Sequence, residues 1–161
     1  MTRLDLGCGG SVKPGFIGID LHPQADVQID LRERLGYADG SVDEIYAKHL
    51  IEHFSEMEWQ KIIKDWSRVL KQGGRLTVEC PDVSRVFIRW LNNAEGRRDY
   101  WTHCIYGQHW IEHMAHKNGF HLEKITQDFN GNGLAIEYVE WLCDDTPDPN
   151  GFNIKVEAIK C

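Results

Sequence analysis

LDLGCGG, residues 4–10, is a short apolar run that breaks into glycines around a cysteine. A β-type run that enters a glycine turn marks the place where an open α/β sheet binds its ligand, beyond the carboxyl ends of its strands. Glycines at that point let the backbone approach a ligand closely. A dinucleotide-binding turn would continue as GxGxxG, yet Val12 stands five positions after Gly7 and Pro14 follows. The nicotinamide reading is weakened by that departure.

Outward from this turn, further β-type runs occur at residues 16–19, 27–29, 42–47 and 75–79, spaced by turns or helical segments as a parallel sheet requires. The clearest helix spans residues 55–70. Ser55 and Glu58 form a capping box, and Trp59, Ile62, Ile63, Trp66, Val69 and Leu70 make one apolar stripe that ends at Gly73. A second helix follows Pro81, with Asp82 as its cap and Val83, Val86, Phe87, Trp90 and Leu91 on one face. Residues 92–118 are rich in charge, aromatics and histidine without a clean period, which reads as a surface excursion. A short helix over residues 121–128 leads through NGNG to a strand at 134–142. The polar turn DDTPDPNG then precedes a last strand at 152–159, so the two final strands form an antiparallel hairpin.

The whole of residues 1–161 reads as one domain: the chain is 42% hydrophobic and 27% charged, enough for a single core. Its net charge of −7 argues against a broad basic surface for nucleic acid. Five scattered cysteines, never in CxxC spacing, signal neither a disulfide framework nor a zinc ribbon, which suits a reduced cytoplasm. No signal-peptide anatomy is visible and no apolar run approaches the roughly 20 residues of a membrane helix. The expectation is a cytoplasmic protein without a membrane partner; the sequence is silent on oligomeric state.

Carboxylates recur at strand ends: Asp5 in the first, Asp20 closing FIGID, and Asp30 closing VQID. Each alone suits a turn or a cap. Together they suit ribose hydroxyls, which Asp20 would accept from, and an adenine edge beside Asp30 and Leu31.

In order and spacing, LDLGCGG, GIDL, DGSVDEIYAKHLIEHF and RVLKQGGRLTVECPD resemble the class I S-adenosylmethionine-dependent methyltransferases of the small type 11 kind, over about residues 3–82. The resemblance implies a three-layer Rossmann-like α/β fold with a mostly parallel seven-stranded sheet and an antiparallel last strand. It implies S-adenosylmethionine as cofactor, with Asp5, Gly7, Cys8 and Gly9 around its methionine part, Asp20 and Leu21 at the ribose, Asp30 and Leu31 at the adenine, and His49 near the methionine end. A shorter likeness in IYGQHWIEHMAHKNGF implies that residues 92–118 are a substrate-side insertion. Tyr106, Gln108, His109 and His116 are its candidate acceptor contacts. His49 and His116 are the candidate bases, since an imidazole can take a proton near neutral pH. The family's third glycine is Ser11 here, and residues 11–15 leave no room for a full first helix.

HLIEH at residues 49–53 and HWIEH at 109–113 also have the form of an inverted zinc-protease motif. Such a motif needs its two histidines on one helical face, whereas HLIEH lies in the loop before the Ser55 cap, so no metal ligand is assigned. The function expected is methyl transfer to a small-molecule acceptor. A noncatalytic binder of the cofactor or its demethylated product, and a zinc hydrolase, are the other two readings.

Overall fold

The computed structural model describes every residue except His109, Glu112 and Asp144. One sheet runs through it in the order β3-β2-β1-β4-β5-β8-β6-β7. Its strands are β1 (Arg3–Leu6), β2 (Ile17–Asp20), β3 (Val27–Gln28), β4 (Val42–Lys48), β5 (Leu70–Pro81), β6 (Leu134–Cys143), β7 (Thr146–Pro147) and β8 (Asn153–Lys160). The first five are parallel, and β8 is antiparallel to β5 and to β6. Seven strands and the reversed last one match expectation. The eighth, β7, is a two-residue pairing of Thr146 and Pro147 with the end of β6 inside the polar turn.

Register sorts the side chains by face. Leu4, Ile45, Leu76 and Ala158 are neighbours across β1, β4, β5 and β8, as are Leu6, Ala47, Val78 and Val156. All eight are buried. Against this apolar face pack α1 (Glu56–Val69) and α4 (Leu122–Asn130), which contribute Trp59, Ile62, Ile63 and Trp66 and then Ile125 and Phe129 to one core. The capping box is formed in full: the Ser55 N–H donates to Glu58 Oε2 (2.8 Å), and Ser55 Oγ accepts from the Glu58 N–H. Ser55→Ala is expected to cost about 1 kcal/mol in a urea melt. The Ser55 hydroxyl, and then its N–H, hold the Glu58 carboxyl below its ordinary range. That contribution is therefore full above the usual glutamate range and fades as pH falls through the lowered pKa.

The opposite face is polar. Asp5, Tyr46, Thr77 and Glu157 form one row across the sheet, and Lys48, Glu79, Lys155 and Glu140 form the next, alternating in sign. Opposite charges placed across neighbouring strands stabilise one another on this face, where Asp5, Thr77 and Glu79 are themselves buried. Over β1 and β4 the loop of residues 11–16 lies on this face, with the Lys13 ammonium 3.9 Å from the centre of the Tyr46 ring and Phe16 edge-on to the same ring. There the second helical layer is reduced to a loop, the outcome of having too few residues between β1 and β2.

Past β5, Asp82 caps α2 (Val83–Leu91) by accepting from the N–H groups of Ser84 and Arg85. Residues 92–118 are less loop-like than their composition suggests. They include α3 (Arg98–Tyr106), whose Trp101 is buried with Val86 and Phe152 in a small second core. Trp101 is the one fully buried residue of α3, so no apolar stripe shows in the sequence. No helix of the described residues is long and apolar enough to cross a membrane.

Candidate functional site

A cavity of about 530 Å³ opens where β1, β2 and β4 end, within the usual size of a small-ligand site. Three loops build it. The first is the glycine turn, residues 7–10. Gly7 has φ +73, and a Cβ there would stand 2.8 Å from Leu50 Cδ1, so the turn can pass this close to the β4 loop only as glycine. Gly9 has φ +57 and open space where a Cβ would be, so bare backbone faces the cavity. The second loop follows β2. Asp20 Oδ2 accepts from the Gly9 N–H and Oδ1 from the His22 N–H, both at 2.8 Å. Each carboxylate oxygen keeps a second lone pair for a ligand hydroxyl. The third loop follows β3, where Asp30 faces the cavity clasped by Arg32; the guanidinium holds its carboxyl below the ordinary value. Leu31, Ile29 and Phe54 give the same end an apolar lining.

Of the residues read from the sequence as cofactor contacts, Gly7, Cys8, Gly9, Asp20, Leu21, Asp30, Leu31 and His49 line this cavity. Asp5 does not. It is buried beneath the turn, where its carboxylate accepts from the Lys13 N–H at 2.7 Å, so it positions the loop, and it lines neither cavity. Burial raises the Asp5 carboxyl above its usual value, against the pull of that hydrogen bond. Burial, with the Asp5 and Asp20 carboxylates nearby, pushes the Cys8 thiol to about 11, so it stays protonated at neutral pH.

A second cavity, of about 480 Å³, adjoins the first and shares Lys48, His49, His53 and Met114 with it. Gln108 and His116, read from the sequence as acceptor contacts, line it. Tyr106 lines neither cavity and is 58% exposed; as the last residue of α3 it contributes its carbonyl, which accepts from the His116 N–H (3.0 Å). His109 lies outside the described residues. The turn back to His116 requires Gly107, where a Cβ would stand 2.3 Å from the Met114 carbonyl oxygen.

HLIEH is not helical in the way a zinc motif needs. Residues Ile51–His53 form one 3₁₀ turn, and His49 precedes it in the left-handed region at φ +49. His49 Nδ1 lies 3.5 Å from Glu52 Oε1. Burial works against a charged His49, but Glu52 and Glu79 outweigh it and hold the imidazole above its usual pKa. His116 is shifted the other way, chiefly by burial. Lys48, unremarked in the sequence, ends β4 at the junction of the cavities and pairs with Glu79 (3.3 Å) and with Asp145. Arg32, Phe54, Met114 and Lys117 were also missed as lining residues; only the tertiary fold brings them to the cavity.

A parallel sheet with a glycine turn after its first strand, carboxylates after its second and third, and a reversed last strand defines the class I methyltransferase fold. Residues 4–78 match the family described as "Methyltransferase domain", of the type 11 kind. Over that segment the chain is similar to this family, and its fold as a whole is that of solved S-adenosylmethionine-dependent methyltransferases. Similar solved structures include a S-adenosylmethionine-dependent methyltransferase from Methanosarcina mazei, 17% identical with a TM-score of 0.67, covering 99% of this chain and 92% of that one. A protein from Pyrococcus horikoshii is 16% identical with a TM-score of 0.68, over 99% and 82% of the two chains. A possible histamine N-methyltransferase from Thermotoga maritima is 14% identical with a TM-score of 0.66, also over 99% and 82%. No curated protein matches the sequence.

The residues of the first cavity fit S-adenosylmethionine. Bare backbone at Gly9 suits its methionine part, free lone pairs on Asp20 suit two vicinal hydroxyls, and the apolar end at Leu31 and Phe54 suits a flat base.

Proposed function

We propose that the chain is a methyltransferase acting on a small-molecule acceptor held in the second cavity. The observation that carries this reading is the adjacency of the two cavities across Lys48, His49, His53 and Met114. When bound, S-adenosylmethionine supplies an electrophilic methyl group on a sulfonium. The chain's own task is then alignment and exclusion of water, since an in-line displacement requires no covalent residue.

In this reading Asp20 anchors the ribose, with Leu21 beside it, while Asp30 and Leu31 flank the adenine. Gly7, Cys8 and Gly9 surround the methionine part, and Asp5 keeps their loop in place from below. His49 stands at the junction, and His116 with Gln108 faces the acceptor. His49 and His116 are the groups placed to take a proton from an acceptor hydroxyl or amine. A cavity of about 480 Å³ suits a metabolite-sized acceptor.

The test is methyl transfer from radiolabelled S-adenosylmethionine into a panel of small molecules and metabolite extracts, with release of S-adenosylhomocysteine as the second readout. Label should enter a small product with wild type and be lost with His116→Ala. Tight binding of S-adenosylhomocysteine without label transfer to any acceptor would favour a noncatalytic binder, the reading that the loop in place of a first helix keeps open.

A further inference from the structure

We propose that Glu52, His53 and His116 bind one divalent transition-metal ion of the zinc kind at the wall of the acceptor cavity. One ligand atom from each of the three lies within 4.8 Å of the others. Glu52 is only 3% exposed, and neither of its carboxylate oxygens makes a hydrogen bond among the described residues; its nearest basic group is His49, whose Nδ1 stands 3.5 Å from Oε1. A buried carboxylate with one long contact to an imidazole and no hydrogen bond is costly, and natural proteins keep such a group where a cation answers it.

The two histidines are prepared for that cation. His53 Nδ1 lies 3.2 Å from the Ala115 carbonyl oxygen, and His116 Nδ1 lies 3.1 Å from that of Cys104. An imidazole that donates its Nδ1–H to a carbonyl keeps its lone pair on Nε2, which is how ligating histidines are oriented in metal sites. The rings stand edge to face with centroids 5.0 Å apart. Their supports are coupled, since the Glu52 carbonyl accepts from the N–H groups of Lys117 and Asn118 and so ties the 3₁₀ turn to the strand-like segment carrying His116.

The donor set also indicates which ion. Two imidazoles and one carboxylate suit a borderline transition metal, whereas magnesium and calcium prefer oxygen alone. Zinc–ligand bonds of about 2.0–2.1 Å would draw the three donors closer together. Three protein ligands leave a fourth position, and these residues line the second cavity, so that position opens onto the acceptor. An acceptor hydroxyl or thiol coordinated there gives its proton to solvent and keeps its electron pair, shared with the metal. With the ion bound, His116 is a ligand and not a base, which leaves His49 as the base of the two. Placing the ion beside an acceptor rests on the function proposed above; binding of the ion does not.

The experiment is calorimetric titration of chelator-stripped protein with zinc chloride, repeated with magnesium chloride and with the Glu52→Gln and His116→Gln variants. Expected are one zinc per chain, no comparable magnesium binding, and at least about a 100-fold loss of zinc affinity in each variant while their metal-free melting temperatures stay near wild type. Absence of zinc binding by wild type overturns the proposal. So does zinc binding of undiminished affinity in both variants, which would place the ion on other histidines. If a variant fails to fold, His53→Gln in the intact chain gives the same comparison. Titration of the same samples with S-adenosylhomocysteine reads the cofactor cavity separately, so failure of one reading is not mistaken for failure of the other.

Discussion

Replacing Asp20 with alanine is expected to lower affinity for S-adenosylhomocysteine by about 100-fold or more, read by calorimetric titration, while leaving the chain folded. Two charge-assisted hydrogen bonds to ribose hydroxyls are each worth about 1.5–3 kcal/mol, and both are lost together. The substitution also releases the Gly9 N–H, which Asp20 Oδ2 holds at 2.8 Å, so the glycine turn loses part of its support. Asp20→Asn separates the two effects. It keeps one oxygen acceptor but not the charge, and its affinity should fall between the two. Equal affinity in wild type and Asp20→Ala would mean that the ribose does not lie at the end of β2.

Trp59→Ala is expected to be the most damaging substitution in the core, at about 3–5 kcal/mol. Trp59 is fully buried on α1, and its ring stands edge to face against Trp66 and Phe120, with centroids 5.6 and 5.4 Å away. Its Nε1–H donates to Asp128 Oδ2 at 2.8 Å, which fastens α1 to the C-terminal end of α4. Truncation opens a cavity, removes two aromatic contacts and leaves Asp128 short of a donor. For a chain of this length the melting temperature should drop by roughly 10 °C or more. Trp59→Phe, which keeps most of the volume but not the N–H, should cost less than half as much in the same denaturation experiment. A melt that barely moves on truncation would contradict the packing of α1 on α4.

Local signals were the ones legible in the sequence. The glycine turn, Asp20 and Asp30 at their strand ends and the Ser55–Glu58 box each show in short local stretches, and the structure places the first three at one cavity and forms the fourth. The alternation of Leu4, Asp5 and Leu6 already assigns the sheet's two faces. What eluded the sequence depends on distant contacts. Nothing near Asp5 indicates that Lys13 will occupy its carboxylate. The helix α3 hides because Trp101 alone is buried along it. The cluster of Glu52, His53 and His116 joins the end of one suspected zinc motif to a residue just beyond the other, 64 positions apart at its extremes, and neither motif contains it whole. Tyr106, read as an acceptor contact from a short sequence likeness, lines neither cavity, and its backbone carbonyl is what engages His116.

The most direct test of the cofactor cavity is calorimetric titration of metal-stripped wild-type chain with S-adenosylhomocysteine, with NAD as the comparison ligand. One molecule of S-adenosylhomocysteine bound per chain, with no NAD binding, is the expected result. Failure to bind S-adenosylhomocysteine, or binding of NAD in its place, would contradict the assignment of the glycine turn, Asp20 and Asp30 to this cofactor.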